Sequence, residues 1–401
     1  MKLSAQQQKF LQEHAPCYLY DASIIREKCR QLKQALPNVT FLFSVKTNPF
    51  PPLLRLLREE GLGADAASPA EVKLAQEAGM PQDTIFYSSP GKTDRDLEAT
   101  LGTCVFTADS LGELRRLQAL AEARGKRFSV GVRLDPAEGM DGGPGSSNKF
   151  GIDEEQLDEL AEVLNACPNL TVNGVHIHQK SQILDAAVLG AYYRRCFALA
   201  QKLAGLTGGK LDFVNFGSGL GTVYDASAQT PLDLAALSEA FRAVKAENDK
   251  TLHARLYCES GRFIACQSGI YAAPIVDKKT SRGKTYLMVA GGMNGFFRPA
   301  MAALLERVCG GAVPAEEPLA TCPDAFPITV LGSSRETETV TVAGGICTGL
   351  DVLCADKTLP KGEVGDIVVL GNAGSYGYSL SPLAFSSHEP PEQVLWEEPE
   401  T

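Results

Sequence analysis

The chain has no long apolar run and no excess of basic residues. No stretch approaches the about 20 apolar residues of a membrane-spanning helix. Residues 1–8, which end in three glutamines, lack the apolar centre of a signal peptide. The 401 residues carry a net charge of −10, with a pI near 5.2, which argues against nucleic acid or an anionic membrane as a partner. These features predict a cytoplasmic protein.

Cysteine pairs at metal or redox spacing are also lacking. The eleven cysteines are scattered, with no C-x-x-C pair and no Cys/His cluster at zinc spacing. An odd, scattered set predicts reduced thiols in a reducing compartment, and no metal site. Most of these cysteines are expected to lie in the core as small hydrophobic residues.

Between residues 39 and 258, short apolar runs alternate with amphipathic helical stretches about eight times. Strands that are apolar throughout are buried on both faces, which is typical of a parallel sheet. Eight such units predict a (β/α)₈ barrel of the TIM type, with a doubly wound open sheet as the alternative. After residue 265, strands joined by turns rich in Gly, Pro and Asp predict an antiparallel β domain.

The length exceeds that of one compact domain of ordinary size. We predict an N-terminal segment over residues 1–30 that packs with the β domain, a barrel over 31–262, and a C-terminal β domain over 263–390. Residues 391–401 form an acidic tail, and the stretch from 389 onward is expected to fray.

A short apolar run within residues 43–49 leads to Lys46. A lysine at the end of a buried strand is costly to keep charged, because desolvation favours the neutral amine. A neutral amine is what forms a Schiff base with an aldehyde cofactor. The ordinary alternative is a solvated lysine just beyond the strand. The rest of the chain favours the chemical interpretation, since it supplies glycines, an acidic residue and a late cysteine in a fixed order.

Polar residues and glycines recur at the predicted carboxyl ends of the strands, where barrel enzymes carry their catalytic groups. They are Lys46, Asp65, Arg133, His176, His178, Gly217–Gly221 and Glu259–Arg262. The glycine loop can bring backbone N–H groups to a phosphate, although such loops are also common turns. His178 can stack on a flat ring or be an ordinary core histidine. Glu259 can pair with a protonated ring nitrogen or with Arg262.

These motifs belong to an ordered series that extends from Tyr18 to Leu395. The chain resembles the pyridoxal phosphate decarboxylases of the alanine racemase fold, the diaminopimelate, ornithine and arginine decarboxylase family. The motifs that carry the resemblance are S-V-K-T-N at 44–48, the stretch 65–71, N-K-F-G at 148–151, G-V-H-I-H with S-Q at 174–182, G-S-G-L-G at 217–221, E-S-G-R at 259–262, G-M-N with R-P-A at 292–300, C-T-G-L-D at 347–351 and A-G-S-Y-G at 373–377.

The resemblance implies an alanine racemase-like fold with pyridoxal 5′-phosphate as cofactor, and four catalytic residues. Lys46 would hold the cofactor covalently, and His178 would stack on its ring. Glu259 would keep the pyridine nitrogen protonated, which makes the ring a strong electron sink. Cys347 would return a proton to the substrate carbon after carbon dioxide leaves. Racemases of this fold have an arginine against the ring nitrogen, so a glutamate favours decarboxylation.

The resemblance also implies a wider set of contacts. The predicted cofactor-binding residues are Lys46, Asp65, Arg133, His178, Ser181, Gly219, Gly221, Glu259, Gly261, Arg262 and Tyr376. The predicted substrate-binding residues are Arg298, which would contact a carboxylate, Thr348 and Asp351. In this family the cysteine segment reaches the barrel of a neighbouring subunit, so a homodimer with shared active sites is expected.

Four departures from the family pattern concern the substrate. Thr348 is neutral where relatives have an acid that meets a distal amine, so a buried free ammonium would lose its charge partner. Ala302 stands where a tyrosine is usual, Gln179-Lys180 replaces I-G, and S-P-L-A-F at 381–385 replaces the usual end motif. The C-T-G-L-D and S-P-L-A-F motifs resemble the branch that handles conjugated substrates, such as carrier-tethered glutamate or citryl-amino-acid intermediates.

The sequence therefore predicts a decarboxylase that releases carbon dioxide and an amine from an amino acid or amino-acid conjugate. One alternative is meso-diaminopimelate decarboxylase, which makes L-lysine; the G-M-N and R-P-A motifs favour it, whereas Thr348 and Ala302 oppose it. Another is a non-catalytic regulator that binds the cofactor. The presence of Lys46, Glu259 and Cys347 opposes that alternative, since residues with matching roles favour chemistry.

Overall fold

The computed structural model describes residues 3–140, 142–217, 219–309, 322, 324–332 and 336–398. Its contacts divide the chain into two compact units. The barrel unit comprises Arg26–Thr222 and Pro231–Gly261, and the β unit comprises Met1–Ile25, Val223–Thr230 and Arg262–Thr401. The domain limits predicted from the sequence stay predictions beside this division.

The helices and strands are numbered in chain order. The helices are α1 (Ala5–His14), α2 (Ala22–Ala35), α3 (Pro51–Glu59), α4 (Pro69–Glu77), α5 (Asp94–Thr100), α6 (Leu111–Ala123), α7 (Leu157–Asn165), α8 (Ala186–Leu206), α9 (Leu234–Asn248), α10 (Arg262–Ala265) and α11 (Phe297–Cys309). The strands are β1 (Cys17–Asp21), β2 (Val39–Ser44), β3 (Gly63–Ala66), β4 (Ile85–Tyr87), β5 (Val105–Ala108), β6 (Phe128–Asp135), β7 (Ile152–Asp153), β8 (Leu170–His176), β9 (Phe213–Asn215), β10 (Arg255–Glu259), β11 (Gly269–Ser281), β12 (Lys284–Val289), β13 (Ile328–Leu331), β14 (Thr337–Gly344), β15 (Val352–Pro360), β16 (Ile367–Leu370) and β17 (Glu392–Trp396).

The barrel unit is a closed parallel sheet. Its strands follow the order β5-β4-β3-β2-β10-β9-β8-β6, and pairing of β5 with β6 closes the ring. The short strand β7 pairs with β6 outside this ring. The predicted (β/α)₈ barrel is therefore confirmed, and the open-sheet alternative is excluded by the closing pair.

Aromatic side chains fill part of the barrel. The ring centre of Phe86 lies 5.1 Å from that of Phe213 and 4.7 Å from that of Tyr257. Glycines provide the space for Phe213, since a Cβ at Gly174 would lie 2.2 Å from its ring. The interior is thus packed with side chains, as in other (β/α)₈ barrels.

Helix α6 illustrates how the sequence forms the outer layer. The side chain of Ser110 accepts the N–H of Glu113 at 3.1 Å, which caps the first turn. Leu114, Leu117 and Ala121 are buried, at the spacing of one helical face. The same capping arrangement recurs at α4, where Ser68 accepts the N–H of Glu71 at 3.2 Å.

The β unit contains a mixed sheet. Its main path is β13-β16-β11-β12-β14-β15, and β1 pairs with both β11 and β17. Most pairs are antiparallel, but β12–β14 and β1–β17 are parallel. The sheet of the predicted antiparallel domain is therefore mixed, with two parallel pairs among antiparallel ones. Parallel neighbours need a long connection, and the one between β12 and β14 contains α11, a helix that the sequence pattern did not indicate.

The expectation that residues beyond 389 fray is wrong for β17. This strand pairs with β1 in a register that places Tyr18 opposite Gln393 and Tyr20 opposite Leu395. The hydroxyl of Tyr20 donates to Gln393 at 3.0 Å. The strand has only a short apolar run, at 394–396, and its acidic, Pro-rich surroundings gave no sign of a strand.

Candidate active site

The carboxyl ends of the barrel strands carry the residues that the sequence singled out. Lys46 lies in a short 3₁₀ turn, Val45–Thr47, directly after β2, and Asp65 lies within β3. Glu259 is the last residue of β10, and His178 follows β8 by two residues. The parallel topology brings these residues to one edge of the barrel.

Glu259 is a buried carboxylate with two partners. Asn215 donates to its Oε1 at 2.9 Å, and Nε2 of His176 lies 3.0 Å from the same oxygen without the alignment of a hydrogen bond. Burial alone would raise the pKa of Glu259, but the charge interaction with His176, and more weakly that with Lys46, holds that pKa well below its ordinary value. The carboxylate is therefore ionised at neutral pH. Asn215 was not singled out by the sequence; a lone amide at the end of an apolar strand is its only signal.

The pKa of Asp65 is shifted upward, in the opposite direction to that of Glu259. Asp65 is buried, and desolvation together with the charge of Glu259 raises its pKa from 3.8 to about 7, although Lys46 acts to lower it. Two buried carboxyl groups thus share one environment, and the one with the stronger charge partners keeps the negative charge.

Lys46 itself is exposed. The burial from which we argued for a neutral amine is therefore not found in the chain alone. Its charge nevertheless acts on Asp65, Glu259 and His178. The lysine amine is accessible and lies within an ionisable cluster.

His178 is half-buried, and its ring is neutral at pH 7. Desolvation, with the charges of Arg133 and Lys46 acting in the same direction, lowers its pKa from 6.5 to about 3, against the opposing charge of Glu259. The guanidinium of Arg133 donates to the backbone carbonyl of His178 at 3.2 Å. Arg133 in turn lies 3.8 Å from Asp109, so the described contacts give it a role in holding the His178 backbone.

Glycines allow close chain approaches in the barrel unit. Gly217 adopts a φ of 62°, and a Cβ there would lie 2.5 Å from the carbonyl of Ile177. A Cβ at Gly261 would lie 2.1 Å from Oγ1 of Thr47, so this glycine lets β10 pack against the turn that carries Lys46. The N–H of Gly221 donates to the carbonyl of Ile183 at 2.9 Å, which fixes the backbone at the end of the glycine loop.

The remaining predicted cofactor residues of the barrel unit are less constrained. Gly219 is buried, and its carbonyl accepts the N–H of Ile183 at 2.8 Å. Ser181 is half-buried. Ser218 of the same glycine loop lies outside the described residues.

In the β unit, the hydroxyl of Tyr224 joins two predicted site arginines. It accepts a short hydrogen bond from Arg262 and further bonds from both terminal nitrogens of Arg298, each at 3.2 Å. The guanidinium of Arg262 also lies 5.1 Å from the ring centre of Tyr376, a residue with a φ of 52°. A bulky residue in the left-handed region stores strain, which is typical of functional sites. Tyr224 was not predicted; its signal is an aromatic residue three positions after the glycine loop.

Arg298 and Asp351 are less accessible than we expected of substrate contacts. Arg298 is only 1% exposed and donates to the carbonyl of Ser375 at 3.1 Å. Asp351 is 2% exposed, and both of its carboxylate oxygens accept backbone N–H groups. Cys347 is exposed and Thr348 is half-buried. The geometry therefore supports a structural role for Asp351 over the substrate contact that we predicted.

Residues 22–266, more than half of the chain, match the family described as pyridoxal-dependent decarboxylase, pyridoxal binding domain. The chain belongs to this family. It is a pyridoxal phosphate-dependent carboxy-lyase that acts on an amino acid or an amino-acid conjugate.

Two curated relatives span nearly the whole decarboxylase. Diaminopimelate decarboxylase of Archaeoglobus fulgidus is 32% identical over 91% of this chain and 84% of its own length. L-glutamyl-[BtrI acyl-carrier protein] decarboxylase of Niallia circulans is 29% identical over 95% of this chain and 88% of its own. Among solved structures, diaminopimelate decarboxylase from Helicobacter pylori complexed with L-lysine matches with a TM-score of 0.80 and 25% identity, over 96% of this chain and 93% of that one. The predicted alanine racemase-like fold is confirmed.

The residues at the carboxyl edge of the barrel fit the cofactor. They include an ionised buried carboxylate, Glu259, a neutral imidazole, His178, and an accessible amine, Lys46. Among the described residues, neither ring nitrogen of buried His176 has a hydrogen-bond partner, which marks a polar environment that these residues alone do not satisfy. Pyridoxal phosphate, when bound, supplies a protonated ring that accepts the electrons left when carbon dioxide departs.

Other sites are not indicated in the described part of the decarboxylase. Among these residues no group of three or more His, Cys, Asp or Glu is placed to hold a metal ion. No helix among them is long and apolar enough to cross a membrane. A cavity of about 490 Å³ lies near the start of β10 and is lined by Asp212, Lys245, Asp249 and His253 among others. It is at the opposite ends of the strands from Lys46 and Glu259.

Proposed function

We propose that this decarboxylase acts on a conjugated amino acid, whose distal end is joined to a carrier or to another acid and carries no free ammonium group. The observation that carries the proposal is Thr348. Its side chain is neutral, and its hydroxyl already accepts the N–H of Leu350 at 3.3 Å. A distal ammonium beside it would have no carboxylate partner, which is costly wherever water is excluded. The name of the Niallia circulans relative, a decarboxylase of a carrier-bound glutamyl group, supports this class.

Within the same proposal, the residues have distinct roles. Lys46 would hold the cofactor covalently through its side-chain amine and would give it up to the substrate amine. Glu259, held by Asn215 and His176, would pair with the ring nitrogen of the cofactor and favour its positive charge. His178 would contact the ring as a neutral imidazole.

The predicted cofactor contacts of Asp65, Arg133, Ser181, Gly219, Gly221 and Gly261 stay part of the proposal, with Arg133 acting through the His178 backbone. Arg262 and Tyr376 are proposed to hold the phosphate, and Arg298 to contact the substrate carboxylate.

We also propose that Cys347 is the proton donor to the substrate carbon and that it acts in the active site of a second copy of the chain. Its exposure supports this, as does the exposure of neighbouring Leu350, 43% of whose surface is open. An exposed thiol beside an exposed leucine leaves this segment open to contact with a second copy of the chain. The scattered cysteines, with no C-x-x-C pair, are consistent with a reducing compartment, and we propose the cytoplasm.

A second candidate, decarboxylation of meso-diaminopimelate, is favoured by the higher identity of the Archaeoglobus fulgidus relative. The G-M-N and R-P-A motifs at 292–300 also favour it. This candidate needs another charge partner for the distal amine in place of Thr348.

The two candidates are separated by carbon dioxide release from the purified, cofactor-loaded enzyme. We would offer meso-diaminopimelate, lysine, ornithine and an L-glutamyl thioester of a phosphopantetheine-bearing carrier protein. The proposal expects release from the thioester, with free diamino acids at least 100-fold slower in kcat/KM. Release from diaminopimelate at an ordinary enzymatic rate, with none from the thioester, would favour the second candidate.

A further inference from the structure

Asp351 joins two segments of the β unit through its carboxylate. Oδ1 accepts the N–H of Met293 at 2.6 Å, and Oδ2 accepts the N–H of Ile346 at 2.8 Å. The first bond reaches 58 residues back along the chain, and the second spans five residues. The second bond therefore closes the loop that carries Cys347.

Two glycines enclose this carboxylate. A Cβ at Gly292 would lie 2.2 Å from Oδ1 of Asp351, and a Cβ at Gly344 would lie 2.3 Å from Oδ2. Each added Cβ would also lie 2.5 Å from the Cα of the other glycine. The two glycines thus bring their backbones close together around the Asp351 carboxylate. A side chain at either glycine would clash with that carboxylate.

Further backbone bonds fix the shape of the loop between its ends. The N–H of Thr348 donates to the carbonyl of Ile346 at 2.7 Å, and the N–H of Gly344 donates to the carbonyl of Asp351 at 3.1 Å. Cys347 lies between these bonds, and it is the exposed cysteine among the ten whose side chains are described. The loop presents a single accessible thiol from a backbone that is held at both ends.

We propose that Asp351 is a positioning residue that acts through Cys347. This inference rests on the proposed role of Cys347 as proton donor. A carboxylate is required because two backbone N–H groups, those of Met293 and Ile346, point at it. A group with acceptors alone can satisfy both N–H groups at once. The loop so held keeps the thiol at one place relative to the substrate carbon that it protonates. This interpretation replaces the direct substrate contact predicted for Asp351.

The test is a double-mutant cycle between Asp351→Asn and Cys347→Ala. Asparagine has nearly the same shape but turns one acceptor into a donor that faces a backbone N–H. In the cofactor-loaded enzyme we expect Asp351→Asn to lower kcat at least tenfold and to change KM less than twofold. In the Cys347→Ala background the same substitution should change kcat less than twofold, because its effect passes through the missing thiol.

Hydrogen exchange gives a readout that does not depend on activity. In the wild-type protein the amide of Ile346 should exchange at least tenfold more slowly than in an unstructured peptide, and Asp351→Asn should remove this protection at Ile346 and Met293. Asp356→Asn, which breaks an exposed ion pair with Lys284 on the same unit, is the matched control and should leave both measurements unchanged.

The outcomes separate this inference from the proposed function. Effects on kcat that multiply in the double variant, or an unprotected Ile346 amide in the wild-type protein, would overturn the positioning role of Asp351. The exchange measurement on wild-type protein stands even where Asp351→Asn does not fold. A Cys347→Ala enzyme with the wild-type kcat would contradict the role of Cys347 itself, and with it this inference, whatever the exchange data show.

Discussion

His176 and Glu259 form a buried contact of 3.0 Å between Nε2 and Oε1 at the carboxyl edge of the barrel. Only 2% of the histidine side chain and 5% of the glutamate side chain are exposed. A buried charge of this kind is stable only while its partner is present. The contact therefore fixes the ionisation of the residue that we assign to the ring nitrogen of the cofactor.

We expect His176→Leu to destabilise the protein by about 3 kcal/mol at pH 7.5, since it leaves the Glu259 carboxylate buried with Asn215 as its main partner. The measurement is urea unfolding of the cofactor-free protein. His253→Leu, which alters an exposed histidine of the same unit, serves as control and should change stability by less than about 0.5 kcal/mol. Equal stabilities for the two variants would mean that His176 does not hold Glu259.

Asp65 predicts a pH dependence of stability with a definite sign. The folded chain raises its pKa from 3.8 to about 7, chiefly through desolvation, so the folded state keeps a proton that the unfolded state loses between these values. Stability therefore falls as the pH rises from about 4 to 7. Asparagine does not titrate, so the stability of Asp65→Asn relative to wild type should increase by about 3 kcal/mol between pH 4.5 and 7.5.

This difference is measured by unfolding both proteins in urea at each pH, so that other titrating groups cancel. Asp94→Asn is the control, because the Asp94 side chain is 78% exposed and its substitution should change stability by less than about 0.5 kcal/mol. If the difference in unfolding free energy between Asp65→Asn and wild type did not change with pH, Asp65 would be ionised in the folded chain. The negative charge of the site would then be divided differently between Asp65 and Glu259.

The barrel was predictable because its signal is local. Each strand is a short apolar run followed by an amphipathic helix, and helix α6 buries one apolar face at the helical spacing. The β unit depends on pairings between distant segments. Strand β17 is a strand because β1, more than 370 residues earlier, offers it an edge. Local composition carries no record of such a partner, and the tail was misjudged for that reason.

The candidate site also combines residues with a local sequence signal and partners that are distant in sequence. The positions of Lys46, His178 and Glu259 at strand ends follow from the barrel pattern. Their partners do not: Asn215 reaches Glu259 across 44 residues of sequence, and Tyr224 reaches Arg298 across 74. The exposure of Lys46 agrees with the alternative of a solvated lysine just beyond the strand, which the sequence had left open.

A mixing experiment tests the shared active sites. Lys46→Ala should lose covalent cofactor attachment and turnover, and Cys347→Ala should slow turnover while it keeps the cofactor. If Cys347 serves the site of the partner chain, a one-to-one mixture refolded or exchanged together should recover about a quarter of wild-type activity, since half of the dimers are hybrids with one intact site each.

Lys73→Ala, an exposed lysine on the same unit, is the control for Lys46→Ala and should behave as wild type. A mixture with no activity beyond the average of its two parents, although light scattering shows mixed dimers, would place Cys347 and Lys46 in the same site from one chain.

Thr348 offers a test of substrate choice by a single substitution. Thr348→Glu places a carboxylate where a distal ammonium is expected to lie, so kcat/KM for meso-diaminopimelate should rise at least tenfold, while release from the glutamyl thioester should fall. A charge-assisted pair of about 1.5–3 kcal/mol is enough for such a change. Thr348→Gln, which has the same length without the charge, is the matched control and should not improve the diamino acid. If glutamine and glutamate act alike, charge at position 348 does not select the substrate, and the distal group must be recognised elsewhere in the site.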